Sequence, residues 1–337
     1  MKKLIVLFML CAALSVGVTA SFLDMPDNWS TTALQSAVDN GLMGGSNGYI
    51  YPDNNLTRAE MAAIITRAFG ATATTDISRF TDVKSDKWYY EEMSASVAMG
   101  AFNGDGNKLN PDKPITREEA FTVIARVFNL ETDITSPLDK FSDKDKVSDW
   151  SKKYVSALVE KGYVNGSNGA LNIKSTITRA EFAQVMHNIV KAYITDTNYQ
   201  KTYDGNVVVK KNVSLSNLTV NGDLVIADGV EGTVKFDNVT VKGRIVFRSA
   251  SGSEIDGSFG VVTIVGDNIK ITATHDSTVG YYTINGENSS FSIKVKPSVN
   301  DTYTPPSNDN NDSDDNTTDT ETPEIDKGEG QWSQWYN

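Results

Sequence analysis

Leu56-Thr57-Arg58-Ala59-Glu60, Ile115-Thr116-Arg117-Glu118-Glu119 and Ile177-Thr178-Arg179-Ala180-Glu181 are one pentapeptide written three times. Each copy opens an apolar-periodic segment, residues 61–69, 120–128 and 182–190. Thr followed three residues later by Glu is a capping box. The hydroxyl accepts from the Glu N–H and the carboxylate accepts from the Thr N–H, so a helix is predicted to start at each Thr. Capping explains Thr and Glu but not Arg. A cation in the first turn opposes the helix dipole. Its recurrence predicts that it faces something anionic.

The repetition extends beyond the pentapeptide. Trp29, Trp88 and Trp150 each stand 28 residues before the Thr, and Gly41, Gly100 and Gly162 each stand 12 after the Trp. Phe22, Phe80 and Phe141 precede the Trp residues, and Asp24, Asp82 and Asp143 follow each Phe by two. The copies start 59 and 62 residues apart. Such a period marks one supersecondary unit per repeat. Trp150, Tyr154, Ala157, Leu158 and Lys161 fall on one face of a first helix. The Gly is placed to end that helix in a left-handed conformation. A turn-rich loop follows, carrying Gly44-Gly45-Ser46, Asn103-Gly104-Asp105 or Asn165-Gly166-Ser167, and the second helix starts at the capping box. No unit is large enough to bury its apolar face alone, so the three are expected to pack into one helical domain. The Phe residues read as core, the Trp residues as core ahead of the alternative of a ligand-stacking platform, and the Asp residues as caps or turn formers.

Together these features resemble the S-layer homology (SLH) module, in three tandem copies over roughly residues 22–192. The resemblance implies an all-α, pseudo-threefold bundle. It also implies grooves between neighbouring modules that hold a secondary cell-wall polysaccharide, often one carrying a pyruvate ketal. On this basis Arg58, Arg117 and Arg179 are carried over as carboxylate binders, because a planar guanidinium can hold a carboxylate bidentately. Ser46 and Ser167 are carried over as loop donors. The competing reading of each Arg is a solvated helix-end charge or a salt bridge to a neighbouring module. Asp105 stands where the other loops have Ser, and there it would accept from sugar hydroxyls. The third module has Asn172-Ile173-Lys174 where the others have Tyr51-Pro52-Asp53 and Asn110-Pro111-Asp112. Both departures predict grooves that are not equivalent, with one or two of them working.

The ends and the charge set the context. Met1-Lys2-Lys3, an apolar run and Val18-Thr19-Ala20 read as a secretory signal cut before Ser21. The run is short for a membrane span. Cys11, the only cysteine, lies inside it, and Leu10 before it argues against a lipid anchor. The mature chain is thus expected to hold no disulfide and no thiolate chemistry, and to have no membrane association after cleavage. The net charge is −12. Residues 300–330 hold ten acids and one Lys, so the remainder is nearly neutral. An acidic chain without a basic stripe argues against nucleic acid.

From residue 195 the period becomes alternating and β-rich. Asn217 to Ile226 matches Asn238 to Phe247 at an offset of 21 residues, which suits one coil of a β-solenoid. A small sandwich is the alternative. This half shows no metal spacing, nucleophile elbow or phosphate loop. His187 reads as packing and His275 as a turn residue. Glu254 and Asp256 could in principle form a glycosidase pair, and Arg244 and Arg248 complete no catalytic cluster. The expected organisation is a signal peptide (1–20), SLH modules (21–75, 76–135 and 136–194), an all-β domain (195–299) and a disordered acidic tail (300–337). The expected function is non-covalent anchoring of an exported protein to the bacterial cell wall, with no cofactor, no catalysis and possible self-assembly at the surface. The alternatives are an anchored polysaccharide-degrading enzyme, and a module whose ligand is amine-modified peptidoglycan, which would seek Asp105 or Asp112.

Overall fold

The computed structural model describes residues 22–294. The expected signal peptide and acidic tail lie outside the described residues. Among the described residues six α-helices come first: α1 (Thr31–Asp39), α2 (Arg58–Phe69), α3 (Tyr90–Ala98), α4 (Arg117–Val127), α5 (Asp149–Glu160) and α6 (Arg179–Ile189). All three capping boxes form. The N–H groups of Glu60, Glu119 and Glu181 donate to the Thr hydroxyls at 3.2, 3.3 and 3.2 Å. Oε2 of each Glu accepts from the Thr N–H at 2.8, 2.9 and 2.9 Å. The first helix of each module ends in a Schellman motif. Gly41, Gly100 and Gly162 take φ of +67°, +72° and +72°, and Leu42, Ala101 and Tyr163 donate back to Ala37, Ser96 and Leu158.

The modules close into a ring. Leu56 N–H donates to the Ile177 carbonyl, Ile177 N–H to Ile115, and Ile115 N–H to Leu56, at 2.9, 3.1 and 2.9 Å. All three side chains are fully buried. The first two N–H groups of each second helix run round the ring in the opposite sense, each donating to the following module. Arg58 and Ala59 donate to Lys113 and Pro111, Arg117 and Glu118 to Ser175 and Ile173, and Arg179 and Ala180 to Asn54 and Pro52. The donors a helix start leaves without intrahelical partners are therefore met by the box and by the adjacent module. Each second helix packs on the first helix of the following module, α2 on α3, α4 on α5 and α6 on α1.

The Phe residues are buried as expected: Phe80 and Phe141 are core and Phe22 packs against it. The Trp residues are not. Trp29, Trp88 and Trp150 are 62%, 60% and 51% exposed. They sit before or in the first turn of their helices, and the positions facing neighbouring helices are taken by Leu34, Met93 and Val155, five residues on. The expectation of a Trp core is corrected.

Thirteen strands follow among the described residues: β1 (Val190–Ile194), β2 (Thr202–Tyr203), β3 (Asn206–Val209), β4 (Leu215–Ser216), β5 (Thr219–Val220), β6 (Leu224–Ile226), β7 (Phe236–Asp237), β8 (Val239–Phe247), β9 (Glu254–Ile255), β10 (Gly257–Ile264), β11 (Lys270–Ala273), β12 (Thr278–Ile284) and β13 (Ser290–Ile293). Every strand pair is parallel. The main sheet runs β1-β3-β6-β8-β10-β12, and β4-β7 and β9-β11-β13 form further faces. Leu224 pairs with Ile245 and Thr219 with Thr240, the 21-residue register of the sequence repeat. This is a β-solenoid; a sandwich would be built of antiparallel strands. β1 already belongs to the sheet, so β structure starts before residue 195.

Main-sheet strands next to the helices are buried on both faces. Val207, Leu224 and Ile245 point into the solenoid core, whereas Val208, Val225 and Val246 join the helical core. That explains the unbroken apolar runs of β3 and β6 and the end of β8. Val190 is both the cap of α6 and the first residue of β1, so no linker separates the halves. Solenoid groups then cap helix C-termini. Arg244 donates to the carbonyls of Asn129 (2.7 Å) and Phe128 (3.1 Å). Arg248 donates to Met99 (2.8 Å) and Val127 (3.2 Å). Lys210 donates to Asn40 (3.1 Å) and Arg67 (3.3 Å). Asp223 and Asp228 hold the two Arg forks from the solenoid side. Cations there answer both the orphan carbonyls and the dipole.

Two outcomes are expected. Far-UV circular dichroism and Trp fluorescence should report one coincident unfolding transition for bundle and solenoid. Arg248→Met should lower stability by about 2–4 kcal/mol in urea titration, because it leaves Asp228 and two helix-end carbonyls without their partner. Separate transitions would refute the shared core.

Candidate functional site

The three arginines bridge modules. Nε of Arg58, Arg117 and Arg179 donates to the carbonyls of Leu109, Leu171 and Ile50 at 2.7, 2.8 and 2.9 Å. Nη1 faces the capping-box Glu of the same neighbouring module: Glu119 at 3.2 Å, Glu181 at 2.9 Å and Glu60 at 3.6 Å. The anion that each first-turn Arg faces is thus a protein carboxylate, whose Oε2 is already bound to the Thr N–H. Burial pushes all three guanidinium pKa values down, and the paired Glu opposes it. The peptide that receives each Arg is gripped from its other side. Asp24 accepts from Ile50 and Tyr51, Asp82 from Leu109 and Asn110, and Asp143 from Leu171 and Asn172, at 2.6–3.0 Å.

Beyond these contacts lie two open grooves. The first, about 460 Å³, is lined by Arg58 of module 1, Asn103-Gly104-Asp105 and the face of α4 from module 2, and Trp150 of module 3. The second, about 440 Å³, is lined by Arg117 of module 2, Asn165-Gly166-Ser167 and the face of α6 from module 3, and Trp29 of module 1. Each has the size of a small-ligand site, and each draws on all three modules. In both, Nη2 of the Arg makes no hydrogen bond among the described residues. The third junction differs: Arg179 Nη2 donates to the Gly44 carbonyl at 2.6 Å, closing the fork. Gly44 stands where the other loops have Asn103 and Asn165.

The structure brings Arg58 together with Asp105, and Arg117 with Ser167. Ser46, Asp105 and Ser167 occupy equivalent positions, each donating its N–H across a tight turn, to Tyr49, Lys108 and Ala170. Ser46 is not among the residues lining the two grooves. Sequence reasoning ranked a core role for the Trp residues above a platform role, and missed Lys113 and Arg126, which also line the first groove. The signal available was that each Trp precedes its helix's apolar stripe.

The departure at Lys174 in module 3 also has a physical cause, a matching departure in module 2. Glu118 replaces Ala59 and Ala180, and Lys174 replaces Asp53 and Asp112. The two pair at 2.5 Å. Glu118 is buried and also accepts from Ser148 N–H (2.6 Å) and Ser151 Oγ (2.7 Å), tying α4 to the start of α5. Burial raises its pKa, but Lys174, Ser151 and Ser148 together outweigh this and hold it below the usual carboxylate value of 4.5. With a folded value below the unfolded one, the stabilisation is present above pH 4.5 and lost as pH falls through the folded value. Glu118→Gln is therefore expected to cost about 1–3 kcal/mol at pH 7. The gap from wild type should close in acid denaturation curves below pH 4.5; a gap that persists there would exclude the ionised pair as its source.

Family comparison agrees with this geometry. The S-layer homology domain model matches residues 21–62, 79–121 and 140–183. The chain is similar to a surface-layer 125 kDa protein of Lysinibacillus sphaericus, 33% identical over 232 residues, which are 65% of this chain and 19% of that protein. It is also similar to an amylopullulanase of Thermoanaerobacterium thermosulfurigenes, 31% identical over 51% of this chain and 10% of the enzyme. A cellulosome-anchoring protein of Acetivibrio thermocellus is 33% identical over 42% of this chain and 33% of its own length. The chain thus spans a third or less of each of these relatives. The chain thus carries three tandem S-layer homology domain matches, one on each ring-closed module.

Proposed function

We propose that the chain anchors an exported surface protein non-covalently to the bacterial cell wall. The two open grooves hold an acidic secondary wall polysaccharide, and the solenoid is displayed outward as a structural or adhesive module. One observation carries this reading: each groove pairs a half-occupied guanidinium with an exposed indole from a different module. A sugar carboxylate such as a pyruvyl ketal would take Nη2 of Arg58 or Arg117. The sugar faces would lie on Trp150 or Trp29, whose exposed rings offer a flat apolar surface with a polar N–H at its edge. Asn103, Asn165 and Ser167 supply polar groups for hydroxyls. At the third junction the closed Arg179 fork leaves less for a ligand, which supports two working grooves.

The enzyme alternative has less support. Glu254 is paired with Lys294 and Asp256 with Thr274 and Asn238, within the solenoid. His275 pairs with Asp276 on its turn. The similarity to the amylopullulanase spans one tenth of that enzyme. We read the chain as a binding and display protein without catalysis of its own.

The test is co-sedimentation of the full chain with wall sacculi, before and after chemical removal of the secondary polymer. Binding is expected to vanish with the polymer. Trp150→Ala and Trp29→Ala should each weaken binding roughly tenfold, equivalent to ~1.4 kcal/mol, with little change in melting temperature because both side chains are exposed. Arg58→Ala should reduce stability as well as binding, since it frees the Leu109 carbonyl and Glu119. Binding that survives polymer removal would instead favour peptidoglycan, with Asp105 or Asp112 as its contact.

A further inference from the structure

The two open grooves carry different charge at one position. Counting nine residues from each junction Arg along its own helix reaches Arg67 in α2, Arg126 in α4 and Asn188 in α6. Arg67 is turned back onto the Leu42 carbonyl. Asn188 lines the second groove and is held by Gln184 and the Tyr163 carbonyl. Arg126 lines the first groove, half-buried, with its guanidinium 5.3 Å from the centre of the Tyr154 ring. It takes part in no ion pair among the described residues. The other two cations of that groove, Arg58 and Lys113, both face Glu119.

Spacing turns this into a subsite. Arg126 lies seven residues beyond Glu119 on α4, almost two full turns, so both project from the same face about 10 Å apart. One end of the groove is the Arg58–Glu119 clasp and the other is an unpaired guanidinium stacked on an aromatic ring. A polymer lying along this wall meets a second cationic point at the position of the next sugar. In the second groove the matching position offers an amide.

Building on the proposed groove function, we infer that the first groove is a two-anion subsite. Arg58 takes one sugar carboxylate and Arg126 takes a second, on the adjoining sugar of the same chain. The second groove accepts the same polymer with a neutral sugar at that place. Arg126 is then a specificity-determining residue that makes the first groove sensitive to how densely the polymer is charged.

The test is calorimetric titration of the full chain with wall polymer released from sacculi, in three forms. These are native, ketal-stripped by mild acid, and carboxyl-reduced with carbodiimide and borohydride. Wild type should show two classes of site on native polymer, the tighter one strongly weakened by salt. Arg126→Asn should weaken that class roughly tenfold and flatten its salt dependence, while Arg126→Lys retains most of both. Wild type and Arg126→Asn should bind carboxyl-reduced polymer equally. If Arg126→Asn still matters on ketal-stripped polymer, the second carboxylate is a uronic acid; if it does not, it is a ketal. The inference is overturned if Arg126→Asn binds native polymer like wild type, or loses as much on the carboxyl-reduced form. If Trp150→Ala weakens binding and Arg126→Asn does not, the groove reading stands and only the subsite falls. If wild type binds no form, both fall.

Discussion

A circuit of three backbone hydrogen bonds, from Leu56 to Ile177, from Ile177 to Ile115 and from Ile115 to Leu56, sets the constraint under which the helical half is built. Each module gives to one neighbour and receives from the other, so none has a complete bonding environment alone. A helix start exposes N–H groups that must find partners. Here the capping box meets some of them and the next module's loop meets the others. Module junctions thus fall at helix starts, and the Arg clasps and grooves fall at the module junctions. Grooves with walls from all three modules follow from that circuit.

The opposite helix ends meet a different partner. Their carbonyls are answered by Arg244, Arg248, Lys210 and the Gly229 N–H, all from the solenoid. Gly70 and Gly229 permit the closest approach: a Cβ on Gly229 would overlap the Gly70 carbonyl. The solenoid contributes a row of valines to the bundle core, and the bundle hides one face of the main sheet. Residues 22–294 thus form a single folded body whose two halves have different secondary structure, with no linker between bundle and solenoid.

What could be read from the sequence followed the range of the physics. Capping boxes and Schellman glycines are local, and both stand where the pattern put them. The 21-residue match became strand register because parallel coils stack like on like. Arg58, Arg117 and Arg179 were visible as anomalies, but their partners lie 51 to 135 residues away in sequence. Type and spacing could not choose between a protein carboxylate and a ligand. The Trp residues misled because aromatic size argues for burial, while their place before the apolar stripe argues against it. Glu118 and Lys174 were both visible as departures from the internal repeat. Their opposite charges were the clue that the departures belong together.

The way the solenoid is fastened bears on how a tethered surface protein withstands drag. Covalently it hangs from module 3 alone, through Val190. Its side-chain and backbone bonds, however, reach the ends of α1, α2, α3 and α4. A pull on the outer coils is therefore shared among all three modules and shears several bonds in parallel, instead of peeling one helix from the ring.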